Sequence, residues 1–179
     1  MLKRLATLLI LVIALVLQGC VGAGGGLNPY VDNYDGYRFL YPNGWTEVRV
    51  AGSADVVFHD IVHETENISV VISDVPEGQT LEDLGTPTDV GYKLSKSINA
   101  FTGEDRKVEL TSAQSITKED ETYYILEYVA DLPSGIRHNL ASVAVRRGKL
   151  FTFNASTREV RWEKVKDLMK QAVASFSVY

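Results

Sequence analysis

The chain has 179 residues, with 18 basic against 23 acidic side chains, a formal charge of −5 and one cysteine. An acidic surface repels phosphate backbones, which argues against a nucleic-acid partner. A single thiol supports neither a disulfide framework nor a paired-cysteine metal site.

In chain order, Lys3 and Arg4 precede an apolar run, Leu5 to Leu17, and then Gln18-Gly19-Cys20. A basic start and a short hydrophobic core read as a secretory signal, too short to span a bilayer comfortably. The segment "LVLQGC" resembles the bacterial lipobox, in which the cysteine thiol takes a diacylglycerol and the preceding bond is cut. Residues 1–19 are thus expected to be a lipoprotein signal, with Cys20 as the lipid attachment atom. A lipidated Cys20 leaves no thiol for redox, metal or nucleophilic chemistry. The remaining 160 residues carry 16 basic and 23 acidic side chains, because Lys3 and Arg4 go with the signal, for a net −7. Membrane contact is then expected through the lipid anchor.

The glycines of "VGAGGGLNP" make residues 20–29 a tether, and the domain is expected over 30–179. Tyr37 to Tyr41 and Trp45 to Val50 read as strands, joined into a hairpin by Pro42-Asn43-Gly44. Val56 to His59 and Ile68 to Ser73 form the next pair. Thr80 opens a short helical start, Thr86-Pro87 interrupts it, and Asp89 to Ala100 continues with Val90, Leu94, Ile98 and Phe101 at helical spacing. Val108 to Ile116 is a weaker strand. "TYYILEYVA", Thr122 to Ala130, is apolar on both faces and is expected mid-sheet. Asn139 to Arg146 and Leu150 to Asn154 flank Arg147-Gly148-Lys149 and read as a closing hairpin. Ser156 and Glu159 match a capping box for a last helix whose stripe is Trp162, Val165, Leu168 or Met169, Ala172 and Phe176. The fold class expected is α+β, an α-β-α sandwich with helices on both sides of a mainly antiparallel sheet.

No phosphate loop, dinucleotide glycine fingerprint or nucleophile elbow is present. "HDIVHE" puts His59 and His63 four residues apart beside Asp60 and Glu64, types that suit a divalent transition metal. A strand end running into a polar loop does not force them together, so solvated loop residues and a weak zinc or copper site both stay open. The last helix presents Arg161, Lys164, Lys166, Asp167 and Lys170 on its polar face. Arg161 and Lys164, extended by Arg146, Arg147 and Lys149 if the hairpin tip lies nearby, are candidates for docking an acidic partner. An ordinary solvated face is the alternative.

Six segments together carry a resemblance: "YDGYRFLYPNGW", "ISVVISDV", "LEDLGTPTDVGYKL", "YYILEYV", "RHNLASVAVRRGKLFTFNAS", and "RW" with a terminal "SFSVY". In this order they resemble the PsbP family of extrinsic lumenal photosystem II proteins over nearly all of residues 28–179, and the lipobox points to its cyanobacterial lipoprotein form. The resemblance implies the PsbP/Mog1-like α-β-α sandwich, no catalysis, and no required cofactor. The location it implies is the lumenal side of the thylakoid membrane. Its implied partner is the photosystem II lumenal face, near the D2 subunit, during assembly or stabilisation of the reaction centre and water-oxidising complex. Calcium enters only through that complex. The plant ion-retention role depends on an extended N-terminal segment, whose place here is taken by the short tether. The family's proposed divalent-metal positions fall on His138 and Glu159, whose donors suit zinc or manganese. A strand-end histidine with no metal is the competing reading. A lipid-anchored metal-binding or delivery module and a cryptic hydrolase remain as alternative functions.

Overall fold

Ten strands and two helices account for the computed structural model, which describes residues 26–179 apart from 51, 53 and 103–106, with backbone alone over 97–102. The strands are β1 (Leu27–Asp32), β2 (Tyr37–Pro42), β3 (Trp45–Glu47), β4 (Ala54–Asp60), β5 (Asn67–Asp74), β6 (Lys107–Lys118), β7 (Glu121–Leu132), β8 (Gly135–Arg146), β9 (Lys149–Arg158) and β10 (Ser177–Val178). The helices are α1 (Pro87–Thr102) and α2 (Trp162–Ser175). Seven strands form one antiparallel sheet in the order β3-β4-β5-β9-β8-β7-β6, and β1-β2-β10 form a second.

Adjacent residues of a strand point to opposite faces, and β7 shows both faces covered. Tyr123 joins a core with Tyr37, Phe39, Phe58, Phe153 and Phe176, filled by the small sheet and α2. Tyr124 and Leu126 join a second core with Leu81 and Val90, filled by α1 and the turn before it. The helices therefore sit on opposite sides of the large sheet, as the α-β-α reading expects.

Two hairpins follow the local sequence closely. The β4–β5 pair runs from Ala54↔Val71 to His59↔Asn67, with an irregularity at Ala54/Val56. In β8–β9, Arg146 faces Lys149 across a two-residue turn. Arg147 and Gly148 take φ of 51° and 69°, the left-handed pair that matches the twist of the strands. The α2 stripe also forms, with Trp162, Met169, Ala172 and Val173 buried. Helix α1 starts at Pro87 rather than Asp89. The Thr86 hydroxyl accepts from the Asp89 N–H at 3.3 Å, and the Asp89 carboxylate accepts from the Thr86 N–H at 3.0 Å. That reciprocal cap leaves proline at the first helical position, where its missing N–H costs nothing. Ile98 and Phe101 have side chains outside the described residues.

Four expectations are corrected. The chain joins the fold at Leu27, not Tyr30, because Leu27 pairs with Pro42 and Pro29 with Leu40. Pro29 is tolerated there because β1 is an edge strand. The Pro42-Asn43-Gly44 turn does not close a hairpin. Its two strands go to different sheets, β2 between β1 and β10, β3 beside β4. Strand β7 is next to the edge, and the middle strand is β9; cover on both faces made β7 apolar. Ser156 caps no helix. It lies within β9, its hydroxyl accepts from Arg137 Nε at 2.9 Å, and a 3-10 turn (Glu159–Arg161) intervenes before α2.

Gly36 is required by a close approach. It sits at φ 77°, where an added Cβ would collide with the Arg147 guanidinium and lie 2.9 Å from the Tyr179 carbonyl oxygen. Nearby, Tyr37 donates from its hydroxyl to Asp55. Burial, then that carboxylate, pushes the Tyr37 phenol above the ordinary tyrosine value, and burial does the same at Tyr128. The fold favours the protonated phenol at both positions. Their contribution is therefore complete below about pH 10 and is lost as pH rises past it. Together these two phenols should lower stability by roughly 3 kcal/mol per pH unit in that alkaline range. Urea midpoints on either side of pH 10 measure this, and the slope should flatten in Tyr37→Phe and Tyr128→Phe.

Candidate functional site

Two polar clusters sit where β9 turns into α2. The first is built on His138, near the start of β8, with its ring stacked on Trp162 at a centroid distance of 3.7 Å and an interplanar angle of 10°. Its side chain is 7% exposed. Nδ1 lies 2.7 Å from Glu159 Oε2, and Nε2 lies 2.8 Å from Glu127 Oε1. Ionised carboxylates only accept, so a neutral ring satisfies one of these contacts and a ring protonated on both nitrogens satisfies both. Both nitrogens are engaged, which leaves neither poised to take a proton from a substrate hydroxyl. His138 and Glu159, the positions the resemblance offers for a metal, lie in hydrogen-bond contact, and Glu127 is the partner that sequence reading missed. Its signal was present: Glu127 is a carboxylate inside "YYILEYV", a strand otherwise apolar on both faces.

The second cluster occupies the β4–β5 turn. Asp60 Oδ2 lies 3.2 Å from His63 Nδ1, and Asp60 Oδ1 accepts from the Val62 N–H at 2.7 Å. Glu66, 2% exposed, closes the turn with its carboxylate inward. It accepts from the Thr157 hydroxyl at 3.0 Å and from Arg161 Nε. Ligand atoms of Asp60, His63 and Glu66 lie within 4.8 Å of one another, whereas His59 is not part of that set. His59 instead lies in the β4 ladder opposite Thr46 and Asn67. A third acidic set, Asp32, Asp35 and Asp55, also converges, but Asp55 holds the Tyr37 hydroxyl and Asp35 faces Lys149 Nζ at 3.7 Å.

The donor geometry limits what a metal could use. At His138, Glu127 and Glu159 approach opposite edges of the ring, so one ion cannot take both carboxylates with the same imidazole. In the turn, Asp60 and His63 are available together, but Glu66 is held by a guanidinium. A zinc or manganese ion would find two protein ligands at either place and would complete its shell with water.

The candidate docking cations are mostly committed inside the molecule. Arg146 pairs with Glu121, Arg147 donates to the Asp35 carbonyl oxygen, Lys149 faces Asp35, and Arg161 holds Glu66. Lys164 is exposed. The five do not form one patch. Arg146, Arg147 and Lys149 are at the β8–β9 tip, while Arg161 and Lys164 follow the far end of β9. Along its span of Lys149–Arg158 the separation is roughly 30 Å. Cys20 lies outside the described residues.

Comparison with known proteins agrees with this architecture. The chain matches the PsbP family over residues 25–178. It is 47% identical to CyanoP of Thermosynechococcus vestitus over 184 aligned positions, covering 100% of both chains. It is 46% identical to CyanoP of Synechocystis sp., covering 99% and 98%. Its fold is similar to the solution structure of CyanoP from Synechocystis sp. PCC 6803, with a TM-score of 0.76, 47% identity, and coverage of 90% of this chain and 98% of that one. The two-sided sandwich and the full-length likeness lead to one conclusion: the chain belongs to the PsbP family.

Proposed function

We propose that this is a non-enzymatic, lipid-anchored accessory protein of photosystem II on the lumenal side of the cyanobacterial thylakoid membrane. It assists assembly or stability of the reaction centre and its water-oxidising complex, docking near the D2 subunit. The observation that carries this reading is the full-length identity to CyanoP together with the shared fold. The internal commitment of the polar clusters supports work done by the surface rather than by chemistry in a pocket. Anchoring rests on Cys20 and its preceding apolar run, since among the described residues no helix is long and apolar enough to cross a membrane. Affinity purification of the tagged full-length protein from thylakoids in mild detergent should recover reaction-centre complexes. Absence from every such fraction would overturn the reading.

A second reading, a lipid-anchored module that binds or delivers a divalent metal, draws on the convergence of Asp60 and His63. Calorimetry with zinc should then show one site that His63→Ala abolishes and that His59→Ala and His138→Ala leave in place. Affinity no tighter than millimolar would argue against delivery.

A further inference from the structure

The three most exposed aliphatic side chains among the described residues, Val160 at 84%, Val62 at 79% and Ile61 at 63%, lie at one end of the sandwich. Ile61 and Val62 form the β4–β5 turn, and Val160 lies in the turn between β9 and α2. Arg161, next to Val160, reaches Glu66 of the β4–β5 turn, so the two turns touch. Ile136, 48% exposed, lies beside them at the start of β8, because the next residue, Arg137, pairs with Arg158 at the end of β9, where the turn carrying Val160 begins. Single exposed aliphatics are ordinary on soluble surfaces, but three on two touching turns with Ile136 beside them make a patch, and such patches mark contact with a partner or a membrane.

The chain enters the fold at this same end. Gly26 accepts through its carbonyl from the Asn43 N–H at 2.6 Å. Asn43 is two residues from Trp45, which faces Asp60 in the ladder, and Asp60 precedes Ile61. From Gly26 back to Cys20 is six residues, a reach of at most about 20 Å when fully extended. The hairpin tip at Arg147 and the β1–β2 turn at Tyr34 are at the other end, joined by the Arg147 contact to Asp35. A lipid on Cys20 therefore holds the Ile61–Val62–Val160 end within reach of the bilayer.

We infer that Ile61, Val62, Ile136 and Val160 form a membrane-facing end that rests on the bilayer surface and fixes the orientation of the anchored domain. The inference rests on the lipid attachment proposed above. Aliphatic side chains suit the boundary between headgroups and acyl chains, where they leave water without a specific protein partner. An orientation held this way presents the β8–β9 tip and the β1–β2 turn away from the membrane.

The test uses full-length lipidated protein on vesicles of phosphatidylcholine and phosphatidylglycerol. Cys20 is the only cysteine and is occupied by lipid, so an environment-sensitive dye can be placed on Val62→Cys, Val160→Cys or Tyr34→Cys. Dyes at 62 and 160 should be quenched by brominated acyl chains and be severalfold less accessible to iodide than a dye at 34. If the protein sediments with vesicles but all three dyes are equally open to iodide, the membrane-facing end is wrong and the anchor stands. If the protein stays in the supernatant and mass spectrometry finds an unmodified Cys20, both are wrong. Protection that appears in native thylakoids and not in protein-free vesicles overturns the inference in favour of a protein partner.

Discussion

Replacing Arg161 with alanine should cost about 3–5 kcal/mol of stability, the range for stripping one partner from a buried ion pair. The cost arises at Glu66, which is 2% exposed and keeps the Thr157 hydroxyl as a donor but loses the guanidinium that holds it. A carboxylate buried without a cation keeps its desolvation penalty and loses the attraction that offset it. Urea unfolding of Arg161→Ala against the unaltered chain measures the loss. Lys164→Ala, one turn along on the exposed face of α2, should stay within about 0.5 kcal/mol. The pair separates two roles that sequence alone assigned alike. If Arg161 were a docking cation, its loss would weaken partner binding and leave the urea midpoint unchanged.

Phe153→Ala should destabilise the chain by about 3–5 kcal/mol, the usual cost of emptying a buried aromatic site. Phe153 is fully buried on β9, the middle strand of the large sheet. Its ring centroid lies 4.9 Å from Phe39 on the small sheet and 5.1 Å from Phe176 at the end of α2. The ring thus joins three layers, and a cavity there cannot be closed by moving one element without opening a gap against another. For a domain of this size the melting temperature should drop by roughly 8–16 °C. Phe153→Leu should fall between, since it retains part of the apolar volume. A melting temperature unchanged in Phe153→Ala would show that the two sheets are held together elsewhere.

Sequence reading succeeded where the signal is local. The β8–β9 hairpin follows from one turn, Arg147-Gly148, between two strands whose residues alternate. The α2 stripe follows from apolar residues at helical spacing. Both are read from neighbours within one element, and period and turn chemistry report on neighbours. Reading failed where local signals compete with distant partners. Ser156 and Glu159 satisfy the pattern of a helix cap, but each has a stronger engagement elsewhere: Ser156 with Arg137 and Glu159 with His138. Pro42-Asn43-Gly44 satisfies the pattern of a hairpin, but β10, from the far end of the chain, takes the edge of β2 that β3 was expected to fill. The glycines before residues 27–29 suggest a tether, and ladder pairing with β2 outweighs that composition.

The candidate site shows the same division. His138 and Glu159 came from a family resemblance, and the fold does bring them together. Glu127 was visible as an odd carboxylate in an apolar strand, although nothing in the strand itself says which residue it meets. Glu66 gave no sign of burial, because its partners Thr157 and Arg161 lie 91 and 95 residues away.

By itself, then, the sequence determined the class of the fold, the pairing of the two clearest hairpins, the buried face of the last helix and the family, all of which depend on short-range periodicity, turn residues or ordered motifs. Only the tertiary structure decided how the strands divide between two sheets, which charges are structural and which face solvent, and that the exposed aliphatic turns share an end with the chain's point of entry. Those outcomes depend on contacts between segments far apart in the chain, and the energy of such a contact belongs to the pair of surfaces that meet rather than to either segment alone.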